Sequence, residues 1–283
     1  MPPLSYSIPT PLQYFTALVA PQPGDNLALL EAAACLAQDA YPQLDVQEVL
    51  ADMDRLLARL KARLPQDAGA LQRLRLLNHL FYGELGFSGN LNDYYAPENS
   101  YLHSVLHSRR GIPISLAVLW LELAQGIGLN AAGVSFPGHF LVKARVAGGQ
   151  VVLDPLTGQS LSQEALLERL EPFQRDGAGD EAPPLSVLLQ AASAREILAR
   201  MLRNLKEIHR ARRDWELLLA VQERLVVLLP GSWAELRDRG LAHAELGHSV
   251  PAMQDLQAYL DNTHGAEDTS AIAALVHALR GAA

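Results

Sequence analysis

The chain holds one cysteine, Cys35, in 283 residues. A single thiol excludes an intramolecular disulfide and any thiolate-based zinc or iron–sulfur cluster, and it fits a reducing compartment. The cytoplasm is the expected location. Aromatic residues make up only 6 %, and no aromatic-interleaved nucleic-acid platform, glycine-rich phosphate loop or dinucleotide fingerprint is visible. Acidic residues outnumber basic ones 31 to 23, a formal net charge of −8, which argues against a whole-chain nucleic-acid binder or polybasic membrane attachment. No apolar stretch approaches the ~20 residues of a membrane span, and the start, MPPLSYSIPTPLQYF, lacks the basic residues and apolar run of a signal peptide. What is present, 49 % hydrophobic residues, suffices for two globular domains with real cores.

Four prolines in the first eleven residues, with Tyr6, Tyr14 and Phe15 between and after them, suggest an extended arm that packs its aromatics. The run DNLALLEAAACLAQDA reads as a buried helix from Asp25, its cap, to Ala40, with Pro42 ending it. Asp45 and Glu48 have capping-box spacing ahead of an apolar stripe through Val46, Val49, Met53 and Leu60. A further helix is expected from Gly69 to Gly86, then the loop FSGNLNDYYAPENS, then helices over 101–108 and 113–125 with Pro113 in the first turn of the second. After Gly128 the period changes. AAGVSF, HFLVKARV and QVVLD are short β-prone runs and predict a small antiparallel sheet. The run DGAGDEAPP at 176–184 marks a linker over 176–188, between a mixed domain over 1–175 and a helical one over 189–283.

In the helical part, an offset of 34 aligns Lys206 with Gly240, His209 with His243 and Leu218 with Ala252, the period of a tetratricopeptide helix-turn-helix unit. Gly240, Ala244 and Ala252 are small where paired helices must approach, and residues 270–279 would form a covering helix. Trp215 and Trp233 are expected in inter-helix packing. Two repeats and a cap fall short of the usual three or more, so they should lean on the rest of the chain or on another subunit.

The segments LNHLFYGELGFSGN, PENSYL, RRGIPISLAVLWLELAQGIGL, GVSFPGHFLV and VVLDP, all between Leu77 and Pro155, resemble the transglutaminase-like domain of the bacterial SirB family, first subfamily, in which such a domain precedes tetratricopeptide repeats. The resemblance implies an α+β, mostly helical fold with a papain-like arrangement and an all-α repeat domain after it. Active members of the wider superfamily place a cysteine at the start of a helix, a histidine on one strand and an aspartate on the next, so that a helix terminus acidifies the thiol and a carboxylate orients the imidazole. His139 and Asp154 match the last two positions, and a turn at Ala147–Gly149 would bring them to one end of a hairpin, within roughly two residues of register or ~7 Å. The nucleophile position falls on Pro113, which has no acid proton. No catalytic residue is therefore expected, and the chain reads as a non-catalytic adaptor or regulator. The alternative is an amide hydrolase or acyl-transfer enzyme using Ser115 with His139 and Asp154.

Asn90, Asn99, Gly111, Ser115, Gly138 and His139 are the candidate cleft residues. His103 and His107, four apart on a helix, have a spacing that could hold a metal with His139 or Asp154 as a third ligand, but no glutamate follows His103 in a zincin pattern, and neither metal nor cofactor is expected. Between Arg195 and Arg224, eight basic residues face five acids; Arg203, Lys206, Arg210 and Arg213 are the candidate partner-binding residues, suited to an acidic protein or peptide segment.

Overall fold

The computed structural model describes residues 9–21, 27–174, 183–263 and 265–282. The chain forms two compact units, a mixed unit of Ala28–Ala37 and Leu44–Met201 and a repeat unit of Met1–Leu27, Gln38–Gln43 and Leu202–Ala283. Where an extended arm is expected, the chain forms a helix, α1 (Pro11–Val19). The Thr10 hydroxyl accepts from the Gln13 N–H, the Gln13 side chain accepts from the Thr10 N–H, and Pro11 occupies the first helical position. Tyr6 and Asp25 lie outside the described residues.

In the mixed unit the alanine-rich run forms only α2 (Leu29–Ala34) and one 3-10 turn, Cys35–Ala37, in which Cys35 is buried. α3 (Val46–Lys61) starts at Asp45, whose carboxylate accepts from the Gln47 N–H at 2.8 Å, and it buries Val46, Val49, Met53 and Leu60. α4 (Ala70–Asn78) begins after Gly69, but the expected helix to Gly86 changes pitch into a π-helical turn, His79–Glu84. There Leu80 and Phe81, adjacent in sequence, are both fully buried, and Phe81 stacks on Phe87 with centroids 4.2 Å apart. The following loop contains β1 (Ser88–Gly89), which pairs in parallel with β2 (Arg110–Gly111). Between them lie a 3-10 turn, Pro97–Asn99, and α5 (Leu102–Ser108), which ends on Arg109 in the left-handed conformation. α6 (Pro113–Gly126) has ten of its fourteen residues buried, spread over every face, so it is the centre of the unit rather than an amphipathic cover.

The expected sheet is present as β3 (Ala131–Val134), β4 (Leu141–Val146) and β5 (Gly149–Leu153), antiparallel in that order. Val142 pairs with Leu153, which sets Asp154 one step past the hairpin end that His139 approaches. Across α7 (Gln163–Gln174), α8 (Leu185–Leu188) and the residue after it, Leu166, Leu170 and Leu189 pack on Val134, Phe136, Leu141 and Val152, with Leu185 and Leu188 against them. The stretch after Pro184 is thus part of a core, where a linker to residue 188 is expected, and the unit continues to Met201 within α9 (Ala194–Arg212). Residues 176–182 of that expected linker lie outside the described residues.

The repeat unit continues through α10 (Trp215–Leu228), α11 (Trp233–Glu245), α12 (Ser249–Asn262) and α13 (Thr269–Ala282), each packed on the next. α10 and α12 begin 34 residues apart, and Leu218 and Ala252 are both buried. A Cβ on Gly240 would lie 2.8 Å from Leu256 Cγ, which is why the α11–α12 approach needs glycine there. Trp233, expected in the packing, is 39 % exposed. Arg239 forks onto both Asp255 oxygens at 2.6 and 2.7 Å, and α13 covers Leu256 and Tyr259 with Ile272 and Val276. The other end is covered by α1, which packs on α10 with Phe15 fully buried. Asp39 joins it: its carboxylate lies 2.6 Å from the buried guanidinium of Arg224, which sits 5.8 Å above the Phe15 ring. The stack is therefore closed at both ends by its own chain.

Phe15→Ala should lower the unfolding free energy by about 3–5 kcal/mol, the usual cost of emptying a buried phenylalanine site, and Phe15→Leu by clearly less. Urea titration of the full chain measures both; a loss under ~1 kcal/mol for the alanine variant would show that α1 is not part of the core.

Candidate functional site

The amino terminus of α6 is where an activated nucleophile would stand. Pro113 is its first residue, and Ser115 turns back toward the helix start. The Ser115 hydroxyl donates to the Asn99 carbonyl at 2.6 Å and accepts from the Ile112 N–H at 3.1 Å, and the side chain is fully buried. Asn99 in turn donates to the carbonyls of Asp93 at 2.6 Å and Tyr94 at 3.2 Å and accepts from Asn90 at 3.0 Å. A Cβ on Gly111 would lie 2.7 Å from the Ser115 hydroxyl. Asn90, Asn99, Gly111 and Ser115 are thus brought together, but as a closed anchor for the 88–100 loop rather than as the lining of a cleft. The reason is local: a buried helix start needs polar partners, and serine at its third position supplies them.

His139 and Gly138 sit apart from that anchor. Gly138 has φ +65°, and a Cβ there would fall 2.0 Å from the Phe173 ring, so the ring covers the backbone beside His139. The expected pairing of Asp154 with the imidazole is replaced by a different one. Asp154 Oδ1 accepts from the Leu156 N–H at 2.9 Å, and Oδ2 pairs with Arg169 at 2.8 Å. Arg169 and Phe173 are four apart on α7 and share a face. The turn after Asp154 is held from the other side, since Tyr82 donates to the Pro155 carbonyl at 3.2 Å and Asn78 to the Gly158 carbonyl at 3.3 Å. Trp120 of α6 fixes Asn78 by an indole hydrogen bond of 2.9 Å. Arg200 of α9 donates to Ser135 Oγ at 2.9 Å and lies 5.6 Å over the Phe140 ring.

Burial pushes the His139 pKa down; Arg169 and, more weakly, Arg200 push the same way, against an upward pull from Asp154. Tyr82 is raised by burial and then by the Asp154 charge, and stays a neutral donor. The site therefore offers a neutral imidazole beside two guanidiniums. Arg169, Phe173 and Tyr82 are not among the residues singled out in the sequence, and Arg200 stands there only as one of the basic residues between Arg195 and Arg224. The i,i+4 pairs Asn78/Tyr82 and Arg169/Phe173 were the available signal, but only the fold shows which loop they grip.

The remaining candidates are placed as follows. His103 and His107 border a cavity of about 360 Å³ with Asp52, Arg55 and Arg109, and the two guanidiniums there oppose a cation. Lys206, expected to face a partner, is buried and paired with Glu235 at 2.8 Å and Asp238 at 2.5 Å. Arg203 also pairs with Glu235, at 2.8 Å. Both tie α9 to α11 because Glu235, 4 % exposed, needs compensation. Arg210 pairs with Glu207 on the surface, and Arg213 is exposed in the left-handed conformation.

Two outcomes test this arrangement. Ser115→Ala should cost about 1 kcal/mol of stability by removing two buried hydrogen bonds and leaving the Ile112 N–H and the Asn99 carbonyl only their own longer bond of 3.4 Å; an unchanged thermal midpoint would contradict the anchoring role. For His139, the neutral ring suits the folded chain, so its contribution to stability is complete above the unfolded-state pKa near 6.5 and is lost as pH falls through that value toward the lower folded one. Arg169→Met should move the His139 pKa upward in an NMR titration. A fall or no change would sink the assignment.

The comparisons with known proteins agree with the fold. A family model described as the transglutaminase-like superfamily matches residues 47–203, more than half of the chain, and a tetratricopeptide repeat model matches 205–277. The chain is 37 % identical over 250 residues to a UPF0162 protein of Xylella fastidiosa, covering 86 % of this chain and 88 % of that one. It is 32 % identical over 231 residues to a UPF0162 protein of Pseudomonas aeruginosa (81 % and 83 % covered) and 28 % over 238 residues to Protein SirB1 of Salmonella typhimurium (84 % and 87 %). No solved structure gives a significant match. Among the described residues no helix is long and apolar enough to cross a membrane. The chain belongs to the transglutaminase-like superfamily, in the group of UPF0162 and SirB1 proteins, with tetratricopeptide repeats following that domain.

Proposed function

We propose that this protein is a non-catalytic cytoplasmic adaptor that binds another protein through its tetratricopeptide surface, with the degenerate transglutaminase-like site as a second binding or scaffold surface. The observation that carries the reading is the Asp154–Arg169 pair. Acyl transfer by this superfamily's route needs a nucleophile whose proton passes to an imidazole held by a carboxylate. Here the carboxylate is bound to an arginine, position 113 is proline, and the nearest hydroxyl, Ser115, would have to break two buried hydrogen bonds before it could react. The hydrolase alternative therefore has no support from the geometry. The exposed end of α9, with Arg210 and Arg213, suits an acidic flank on the partner.

The test is capture on the immobilised full chain. A partner should be retained stoichiometrically with its mass unchanged, and Arg210→Glu with Arg213→Glu should weaken retention roughly fivefold and flatten its salt dependence, while His139→Ala leaves it alone. A thiol-directed electrophile should label Cys35 only on unfolding, because Cys35 is buried. A captured protein whose mass changes with the wild-type chain but not with His139→Ala would overturn the reading.

A further inference from the structure

One face of the three-stranded sheet changes character along its length. At one end Val134, Leu141 and Val152 pack under α7. Residues two apart on a strand and their cross-strand partners share a face, and at its other end this face carries Asn130, Ala132, Lys143, Arg145 and Gln150, which line a cavity of about 660 Å³ with Ala191 beside them. The Arg145 N–H donates to the Asn130 carbonyl at 2.8 Å, and Arg145 pairs with Gln150 on β5, so a carboxamide flanks the arginine on each neighbouring strand. Two residues back, Lys143 lies opposite Ala132. Its Nζ donates to the Leu189 carbonyl at 2.5 Å, which leaves two N–H groups.

An arginine in a sheet is stabilised by an acid opposite it. Here it has amides instead: among the described residues neither Arg145 nor Lys143 forms an ion pair, and no residue lining the cavity is acidic. In a chain with 31 acids against 23 bases, that is a local excess of positive charge. The two cations stand about 7 Å apart along β4, so they repel each other, and an anion seated between them is attracted by both. The net charge of −8 opposes a polyanion such as nucleic acid, which leaves a small one. A carboxylate brings a single charge. A phosphate monoester brings ~1.5 to 2 negative charges at neutral pH and three acceptor oxygens, which match both cations and the planar fork of Arg145. The two carboxamides donate and accept, as hydroxyl groups require, and the alanines leave room for a body attached to the phosphate.

We propose that this end of the sheet binds the phosphate monoester of a small hydroxylated molecule, with the phosphate held between Arg145 and Lys143 and the hydroxyl groups against Asn130 and Gln150. The inference goes beyond the adaptor reading and does not depend on it.

The experiment follows the side-chain amide signals of Asn130 and Gln150 and the Nε–H signal of Arg145 by NMR in the full chain, at constant ionic strength so that screening stays the same. The probes are glycerol 3-phosphate, glycerate, which carries a carboxylate in place of the phosphate, and glycerol. Glycerol 3-phosphate should shift all three signals saturably, glycerate should bind about tenfold more weakly, and glycerol should move none of them. Arg145→Lys keeps the charge and loses the fork, so the affinity for glycerol 3-phosphate, read on the two amides, should fall about tenfold, one charge-assisted hydrogen bond's worth. Lys143→Met should bring the phosphate and carboxylate probes to within about twofold of each other, because only one cation then remains. That change also frees the Leu189 carbonyl, whereas Arg145 is exposed and its variant leaves the core untouched. Equal binding of glycerol 3-phosphate and either other probe to the wild type, an affinity unchanged in Arg145→Lys, or shifts that never saturate would overturn the proposal.

Discussion

A helix buried on every side has no water to satisfy its first N–H groups, and the mixed unit is organised around that demand at the start of α6. Pro113 removes one donor, the Leu116 N–H reaches the Ile112 carbonyl, and the Ser115 hydroxyl bridges the Ile112 N–H to the Asn99 carbonyl. Because Asn99 also holds Asp93, Tyr94 and Asn90, the same node sets the path of the long loop and with it the β1–β2 pairing. Further along α6, Trp120 fixes Asn78, and through it the turn that carries Asp154. One buried helix thereby positions both the 88–100 loop and the turn that carries Asp154.

The repeat unit faces the complementary difficulty, since a short stack has apolar ends rather than an over-buried centre. α13 covers one end and α1 the other. Burying Arg224 beneath α1 carries a desolvation cost, which Asp39 at 2.6 Å and the Phe15 ring offset. Segments from the first forty-three residues are thus structural members of a domain whose repeat sequence begins after residue 200. A helix at one end of the sequence completes a fold written at the other.

Much of this is legible in the residues. The three β-prone runs, Pro113 as a first helical residue, the Asp45 cap and the spacing of 34 each rest on local chemistry, and each is found where local chemistry puts it. α1 was equally open to reading: Thr10, Pro11 and Gln13 form a capping box with proline at the first position, yet the density of prolines points to an extended arm. The π-helical turn at His79–Glu84 has no local signature, because burying Leu80 and Phe81 together is a demand of the surrounding core. Likewise, Lys206 reads as a surface cation until Glu235 and Asp238, about thirty residues further on, are placed beside it. Pairings across such distances are set by the fold.

Burial and charge together set the state of the His139 ring. A thiolate–imidazolium pair needs a positive ring, stabilised by a carboxylate on its far side. Here Arg169 takes that carboxylate, and with Arg200 it adds positive potential near the ring, so burial and charge both favour the neutral imidazole. The result is a half-buried ring among guanidiniums and aromatics, with Phe173 over Gly138 and Arg200 over Phe140, held in the neutral form by its surroundings.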